Sequence, residues 1–187
     1  MLRATFQSTD SLNGGGNNTS DSALAGYPGL DGNIYVHPGN QMPLIPKHSA
    51  KAYMDIRATS KLLIDLDEVV AASEYARGNE NNAYQPDGTY YVGPGIVPGH
   101  AITNIRAHYD LTKRLQVAVE IDNLWNHHYY TAGQLANTGL TGGGTVNTQP
   151  FPQYTTGPYA GSSPAQSVIF YAPGAPLRAW IELRARL

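Results

Sequence analysis

Strict period-two alternation is the feature that most constrains this chain. From Leu115 onward, Leu115, Val117, Val119 and Ile121 fall on one face, and Gln116, Ala118, Glu120 and Asp122 on the other. Alternation of that length predicts a strand with one apolar and one polar side. The pattern recurs across 48–59, where Ala50, Ala52, Met54, Ile56 and Ala58 oppose Ser49, Lys51, Tyr53, Asp55 and Arg57. In 100–111, Ala101, Thr103, Ile105, Ala107 and Tyr109 oppose Asn104, Arg106, His108 and Asp110. In 177–187, Ala179, Ile181, Leu183, Ala185 and Leu187 oppose Trp180, Glu182, Arg184 and Arg186. Residues 2–8 alternate more briefly. The stretch 62–77 begins in phase, with Ile64 and Leu66 against Asp65 and Asp67, then stumbles at Glu68-Val69-Val70. A β-bulge there would carry Val69 and Ala71 onto the face of Leu66. A short helix from Leu66 to Ala76 is the alternative.

The connections between these strands alternate short and long. Tight turns are expected at Ser60-Lys61 and at Thr112 to Arg114. Glycine- and proline-rich loops fill 9–46, 78–99 and 131–174. Such loops far exceed the usual connection of about 4–6 residues in a compact domain. Antiparallel hairpins with every tight turn at one end and every long loop at the other produce this rhythm, as in outer-membrane β-barrels.

Composition agrees with short strands and polar loops. Of 187 residues only 14% are charged, while glycine (20), proline (13) and tyrosine (13) are abundant. A net charge of −2 gives no basic footprint for nucleic acid. Cysteine is absent, which removes disulfide frameworks and zinc–thiolate sites. No run of about 18 apolar residues exists, so no transmembrane helix is expected. The opening MLRATFQSTD has no apolar core of the kind a signal peptide needs.

Alternation alone leaves two architectures. In a soluble β-sandwich the apolar faces would meet a second sheet, and tyrosine-rich loops would contact a glycan or protein partner. In a membrane barrel the apolar face would meet lipid and the charged face a wet or plugged lumen. Loop rhythm and tyrosines at strand ends (Tyr75, Tyr109, Tyr129, Tyr130) favour the barrel, whose rims carry aromatic girdles. The expected fold is therefore all-β, an antiparallel meander of about six strands with long external loops.

Motif order then becomes informative. PLIPKHSAKAYMDIR (43–57) opens a strand, HAITNIRAHYDLTKRLQVAVEIDNLWNHHYYT (100–131) forms a hairpin, and APGAPLRAWIELRARL (172–187) follows. Together these resemble the C-terminal barrel portion of TonB-dependent outer-membrane receptors. That family has an NLFN-x-x-YY signature after its penultimate strand and a PGAPR element opening the last. Here they read Asn123-Leu124-Trp125-Asn126-His127-His128-Tyr129-Tyr130 and PGAPLR at 173–178, and the family's P-x-H strand opening reads Pro46-Lys47-His48. The resemblance covers about 42–187, and residues 1–41 match only in character. It implies a segment of about a quarter of a transmembrane barrel of roughly 22 strands, without the plug domain or TonB box. It implies import of a scarce nutrient of the siderophore or metal-chelate type in a Gram-negative outer membrane. The implied partners are outer-membrane lipid, a plug domain, TonB and the small-molecule chelate, with no cofactor and no nucleic acid. One departure is the terminal Leu187, where the family has Phe or Trp. A gene remnant without function is a further alternative.

Candidate sites divide by residue chemistry. Asp55, Arg57, Arg106, Glu120, Asp122, Glu182, Arg184 and Arg186 are expected on the lumen face as opposite-charge pairs across strands. Ligand contact is expected in the external loops, with Tyr84, Tyr90, Tyr91, Tyr154 and Tyr159 as candidates, because tyrosine offers rigid amphipathic area. His127 and His128 point to opposite sides of a strand and so cannot share one ion without a bend. Asp65, Asp67 and Glu68 are too few for calcium, which takes six or more oxygens. No nucleophile–base pair, phosphate-binding loop or dinucleotide fingerprint occurs, so no enzymatic activity is expected.

Overall fold

A computed structural model describes residues 4–7, 10–13, 33–84, 91–138 and 166–185. These residues form twelve strands: β1 (Asp10–Asn13), β2 (Asn33–Val36), β3 (Ser49–Arg57), β4 (Leu62–Ala71), β5 (Glu74–Tyr75), β6 (Tyr91–Val92), β7 (Ile96–Val97), β8 (His100–Asp110), β9 (Leu115–Asp122), β10 (Tyr130–Thr138), β11 (Gln166–Pro173) and β12 (Arg178–Ala185). No helix occurs among the described residues. The chain divides into two compact units.

One unit is built on a five-stranded sheet in the order β12–β9–β8–β4–β3, antiparallel throughout. These are the alternating stretches in chain order, an up-and-down meander. Its strands are 8 to 11 residues long. The register sets the faces, because residues directly opposite one another point to the same side. Met54 pairs with Leu66, Leu66 with Ile105, Ile105 with Ile121, and Ile121 with Ala179. One row nearer the turns, Ile56, Ile64, Ala107, Val119 and Ile181 align in the same way. An apolar face therefore runs unbroken across all five strands, and none of its members is buried.

Both tight turns are held by a threonine. Thr59 Oγ1 accepts the Lys61 and Leu62 amides at 3.1 and 3.0 Å. Thr112 Oγ1 accepts the Arg114 amide at 3.2 Å, while the Thr112 amide donates to Leu115 O at 3.1 Å. The Asp110 amide donates to Lys61 O at 2.9 Å and ties the two turns together.

Three expectations are corrected here. There is neither bulge nor helix at Glu68: it pairs with Ala52 on one side and Thr103 on the other, and Val69 and Val70 continue both registers. Val70 thus shares the face of Leu66, while Val69 and Ala71 lie with Asp65 and Asp67. Ladder bonds on both edges outweigh a local break in pattern. Of the expected strand 62–77, only the part to Ala71 joins this sheet, and Glu74–Tyr75 pairs elsewhere with β7. Of 2–8, the described residues 4–7 form no strand. Thr5 makes an isolated bridge to Gln41, and the Phe6 and Met42 amides bond Asn40 O and Ala4 O, so a nearby segment takes its backbone groups.

The other unit contains much of what was expected as loop. Stretches 9–46, 78–99 and 131–174 carry β1, β2, β6, β7, β10 and β11. β1 pairs with β2 and β5 with β7, both antiparallel. β11 lies between β10 and β6 and runs parallel to β6, so the chain is not antiparallel throughout. Ala76, Tyr84 and Leu135 form a small core with Ile169 against it. Beside it Asn79 is buried, its Nδ2 donating to Gly95 O at 3.1 Å and its Oδ1 accepting the Tyr84 amide at 3.1 Å.

Candidate functional site

The face of the sheet opposite the apolar one carries the charges that alternation placed there. Asp55, Asp65, Arg106, Glu120 and Trp180 form one row across the five strands. Arg106 grips Glu120 with two nitrogens, one bond being Nε to Oε2 at 2.9 Å. His108 Nε2 lies 3.3 Å from Asp65 Oδ2. One row nearer the loops, Arg178 bonds Asp122 at 2.9 Å and sits 5.9 Å from the centre of the Trp180 ring. Nearer the turns, Arg184 pairs along its own strand with Glu182, through two bonds of 2.8 Å.

Of the expected charges, Arg106 and Glu120 pair across strands, Asp122 takes Arg178, which sequence reasoning did not single out, and Arg184 and Glu182 pair within one strand. Asp55 and Arg57 share this face; Arg186 lies outside the described residues. The charge is segregated along the strands. Asp55, Asp65, Asp67, Glu120 and Asp122 surround a hollow at mid-height, with Arg106 among them. Arg57, Lys61, Lys113, Arg114 and Arg184 gather at the turn end, around Asp110. Among the described residues no three His, Asp or Glu side chains are placed to hold a metal ion.

The two sequence motifs meet in space. Asn123 ends β9 because its backbone is left-handed, at φ of 51°. Asparagine tolerates that conformation better than most residues. Its side chain is buried and fully used: Nδ2 donates to His127 O at 2.9 Å and Ala175 O at 3.0 Å, and Oδ1 accepts the His127 amide at 2.8 Å. Its own amide donates to Asn104 Oδ1 at 2.9 Å.

Asn126 repeats the device at φ of 49°, its Oδ1 accepting the Leu177 amide at 3.1 Å just before β12. The Gly174 amide donates to Tyr129 O at 2.8 Å, and any β-carbon at Gly174 would collide with the Tyr129 ring. Residues 123–129 thus clasp 174–177 and set where β12 begins against β9. The roles of Asn126 and Gly174 depend on partners far along the chain. The only sequence signal for them is small or left-handed-tolerant residues flanking bulky ones.

The tyrosines fare differently. Tyr84 is only 6% exposed within the small core, which corrects its expected place in ligand contact. Tyr91 lies in β6, whose side chains are outside the described set, as are Tyr90, Tyr154 and Tyr159. His127 and His128 are exposed, and His127 is tied through its backbone to Asn123.

No protein-family profile matches the chain, and no curated protein matches it. Solved structures similar to it include three receptors. The siderophore receptor PiuA from Acinetobacter baumannii matches 84% of this chain at 16% identity and a TM-score of 0.44. The ferric-catecholate import receptor Fiu from E. coli matches 96% at 13% identity and 0.44. The ferric yersiniabactin uptake receptor FyuA from Yersinia pestis matches 82% at 16% identity and 0.45. The chain spans 17%, 19% and 20% of the lengths of these three proteins.

Proposed function

We propose that the five-stranded sheet is a segment of the wall of a TonB-dependent receptor barrel, with its apolar face to lipid and its charged face to the lumen. One observation carries this reading: an apolar face five strands wide with no buried member. Ile181 is 75% exposed, Leu183 64% and Met54 57%. Soluble monomers rarely leave contiguous apolar patches larger than a few hundred Å² in water, and a sandwich would bury this face beneath a second sheet. Lipid is the environment that makes such a face stable. Lipid also leaves no backbone group unpaired, so in this reading the edges β3 and β12 each meet a further strand of the barrel.

The role is transport without catalysis. Barrel, plug and TonB would act together to admit a metal chelate of the siderophore type across the outer membrane, as the motif resemblance implies. The charged face, with its paired rows, is then the surface that a plug would contact. The decisive experiment is fractionation of cells expressing the chain. It should be recovered with the membranes and require detergent for release as a folded β-protein. Folded monomer recovered from the soluble fraction without detergent would overturn the reading.

A further inference from the structure

We infer that the turn end of the charged face is a binding site for a compact multivalent anion of the diphosphate type. The inference needs only the five-stranded sheet and does not depend on what meets the apolar face. Asp110, Gln116 and Arg184 align there across β8, β9 and β12, and the Asp110 amide bonds Lys61 O. The second turn adds Lys113 and Arg114, and β3 adds Arg57, one row further from the turns.

Five cations thus face two carboxylates, Asp110 and Glu182, an excess of three positive charges. Glu182 is taken by Arg184, and Asp110 Oδ1 accepts the Gln116 side-chain amide at 2.9 Å. Among the described residues, Arg57, Lys61, Lys113 and Arg114 have no carboxylate within ion-pairing distance. Higher on the same face the arginines are paired across strands, Arg106 with Glu120 and Arg178 with Asp122. Like charges repel, so unpaired cations gathered from three segments of the chain have a use for an anion among them. A hollow of about 510 Å³ takes in Lys61, Lys113, Arg114 and Arg184, a volume ordinary for a small-molecule site. The backbone carrying the cations is fixed, because Thr59 Oγ1 holds the Lys61 amide and Thr112 Oγ1 the Arg114 amide. Such preorganisation lowers the ordering cost of binding.

The acid band at mid-height limits the size of the occupant. Asp65 lies four residues up β4 from Lys61, about 13 Å away at about 3.3 Å per residue. That exceeds the Debye length of about 8 Å at physiological ionic strength, so the acid does not cancel the base below it. An extended acidic segment laid along the strands would run from the cations onto Asp55, Asp65 and Glu120. A compact anion stays clear of them. Guanidinium forks beside ammonium groups suit phosphate oxygens, the fork binding two at once and the ammonium acting as a point charge. Two phosphate groups, at about 1.5 to 2 negative charges each near neutral pH, offset the excess of three. All four unpaired cations are exposed, so a water-borne anion can reach them.

The test titrates inorganic diphosphate into the full chain folded in maltoside micelles, which contain no phosphate. Calorimetry should show one saturable site that weakens at least about threefold when salt rises from about 50 to about 200 mM. Lys61→Gln, Lys113→Gln and Arg114→Gln combined should weaken binding at least about tenfold. Asp110→Asn, which removes a negative charge from the hollow and keeps an oxygen for Gln116, should tighten it. Arg178→Gln removes a paired cation elsewhere on the face and should leave binding within about twofold. Binding kept by the triple variant overturns the site, as does an equal loss in Arg178→Gln or an Asp110→Asn chain that binds no more tightly. Absence of saturable diphosphate binding also overturns it. A response to phosphatidylglycerol added to the micelles would in that case assign the cations to lipid headgroups instead.

Discussion

Asn123 gives the sharpest handle on how this sheet is registered. Asn123→Ala removes three hydrogen bonds of 2.8 to 3.0 Å in a buried setting. At about 1 kcal/mol each these contribute about 3 kcal/mol. Holding an alanine at φ of 51° adds about 1 kcal/mol, for a total near 4 kcal/mol. Asn123→Asp separates the two contributions. Aspartate tolerates the left-handed backbone and can still accept the His127 amide, but it replaces the Nδ2 donor by an oxygen facing two carbonyls. It should lose at least about 2 kcal/mol at neutral pH. Part of that loss should return in acid, where a protonated carboxyl can donate once. The assay is urea unfolding of the full chain in detergent micelles, followed through the fluorescence of Trp125 and Trp180. Comparison requires midpoints to shift with the denaturant slope unchanged. If Asn123→Asp unfolds at neutral pH within about 0.5 kcal/mol of the parent, the clasp carries no net stability and the reasoning fails.

The clasp makes a second prediction at Gly174. A β-carbon there falls on the Tyr129 ring, so Gly174→Ala should cost about 1–3 kcal/mol, and Tyr129→Ala in the same chain should relieve most of it. Strict additivity of the two changes in the same urea assay would refute the contact. The Arg106–Glu120 pair, with side chains 46% and 22% exposed, should show a coupling of at most about 1 kcal/mol in a double-mutant cycle with alanine. A larger coupling would mean that the charged face is drier than its exposure indicates. Glu74 lies in the other unit, where burial raises its carboxyl pKa. Its folded-state stability is then full below the unfolded carboxylate value and is lost as pH rises through the higher folded value. Glu74→Gln should therefore gain on the parent between mildly acidic and neutral pH. An unchanged stability difference across that window would refute it.

Much of the five-stranded sheet was legible because its faces differ. Wherever Ile, Val, Leu and Met alternate with charge, as in Leu115 to Asp122, the period names both the strand and its sides. Register was not legible, and Glu68 shows why. Its local sequence breaks the alternation, which invites a bulge. The group that satisfies its carboxylate is Thr103, 35 residues further on. Strand β10 escaped for a different reason. Tyr-Thr-Ala-Gly-Gln-Leu-Ala-Asn-Thr has neither an apolar face nor a run of β-branched residues, so nothing local separates it from loop. Tyr84 was misplaced because composition predicts exposure for a tyrosine among asparagines and glycines. Here the ring instead fills the gap between Ala76 and Leu135.

The clasp also decides what the motif resemblance can mean. The Asn123 side chain is taken up by backbone groups of residues 127 and 175, Asn126 Oδ1 accepts the amide of residue 177, and the Tyr129 ring leaves no room for a β-carbon at Gly174. The buried Asn123 side chain therefore serves the backbone rather than a solute. Two sequence motifs about 50 residues apart thus serve one structural task, the seating of β12 against β9, and would be needed for any cargo that such a wall surrounds. The groups that the clasp leaves unused include the charged face, with acid at mid-height and base at the turns. The motifs therefore speak to architecture, and a change of cargo would be expected to leave Asn123, Asn126 and Gly174 in place.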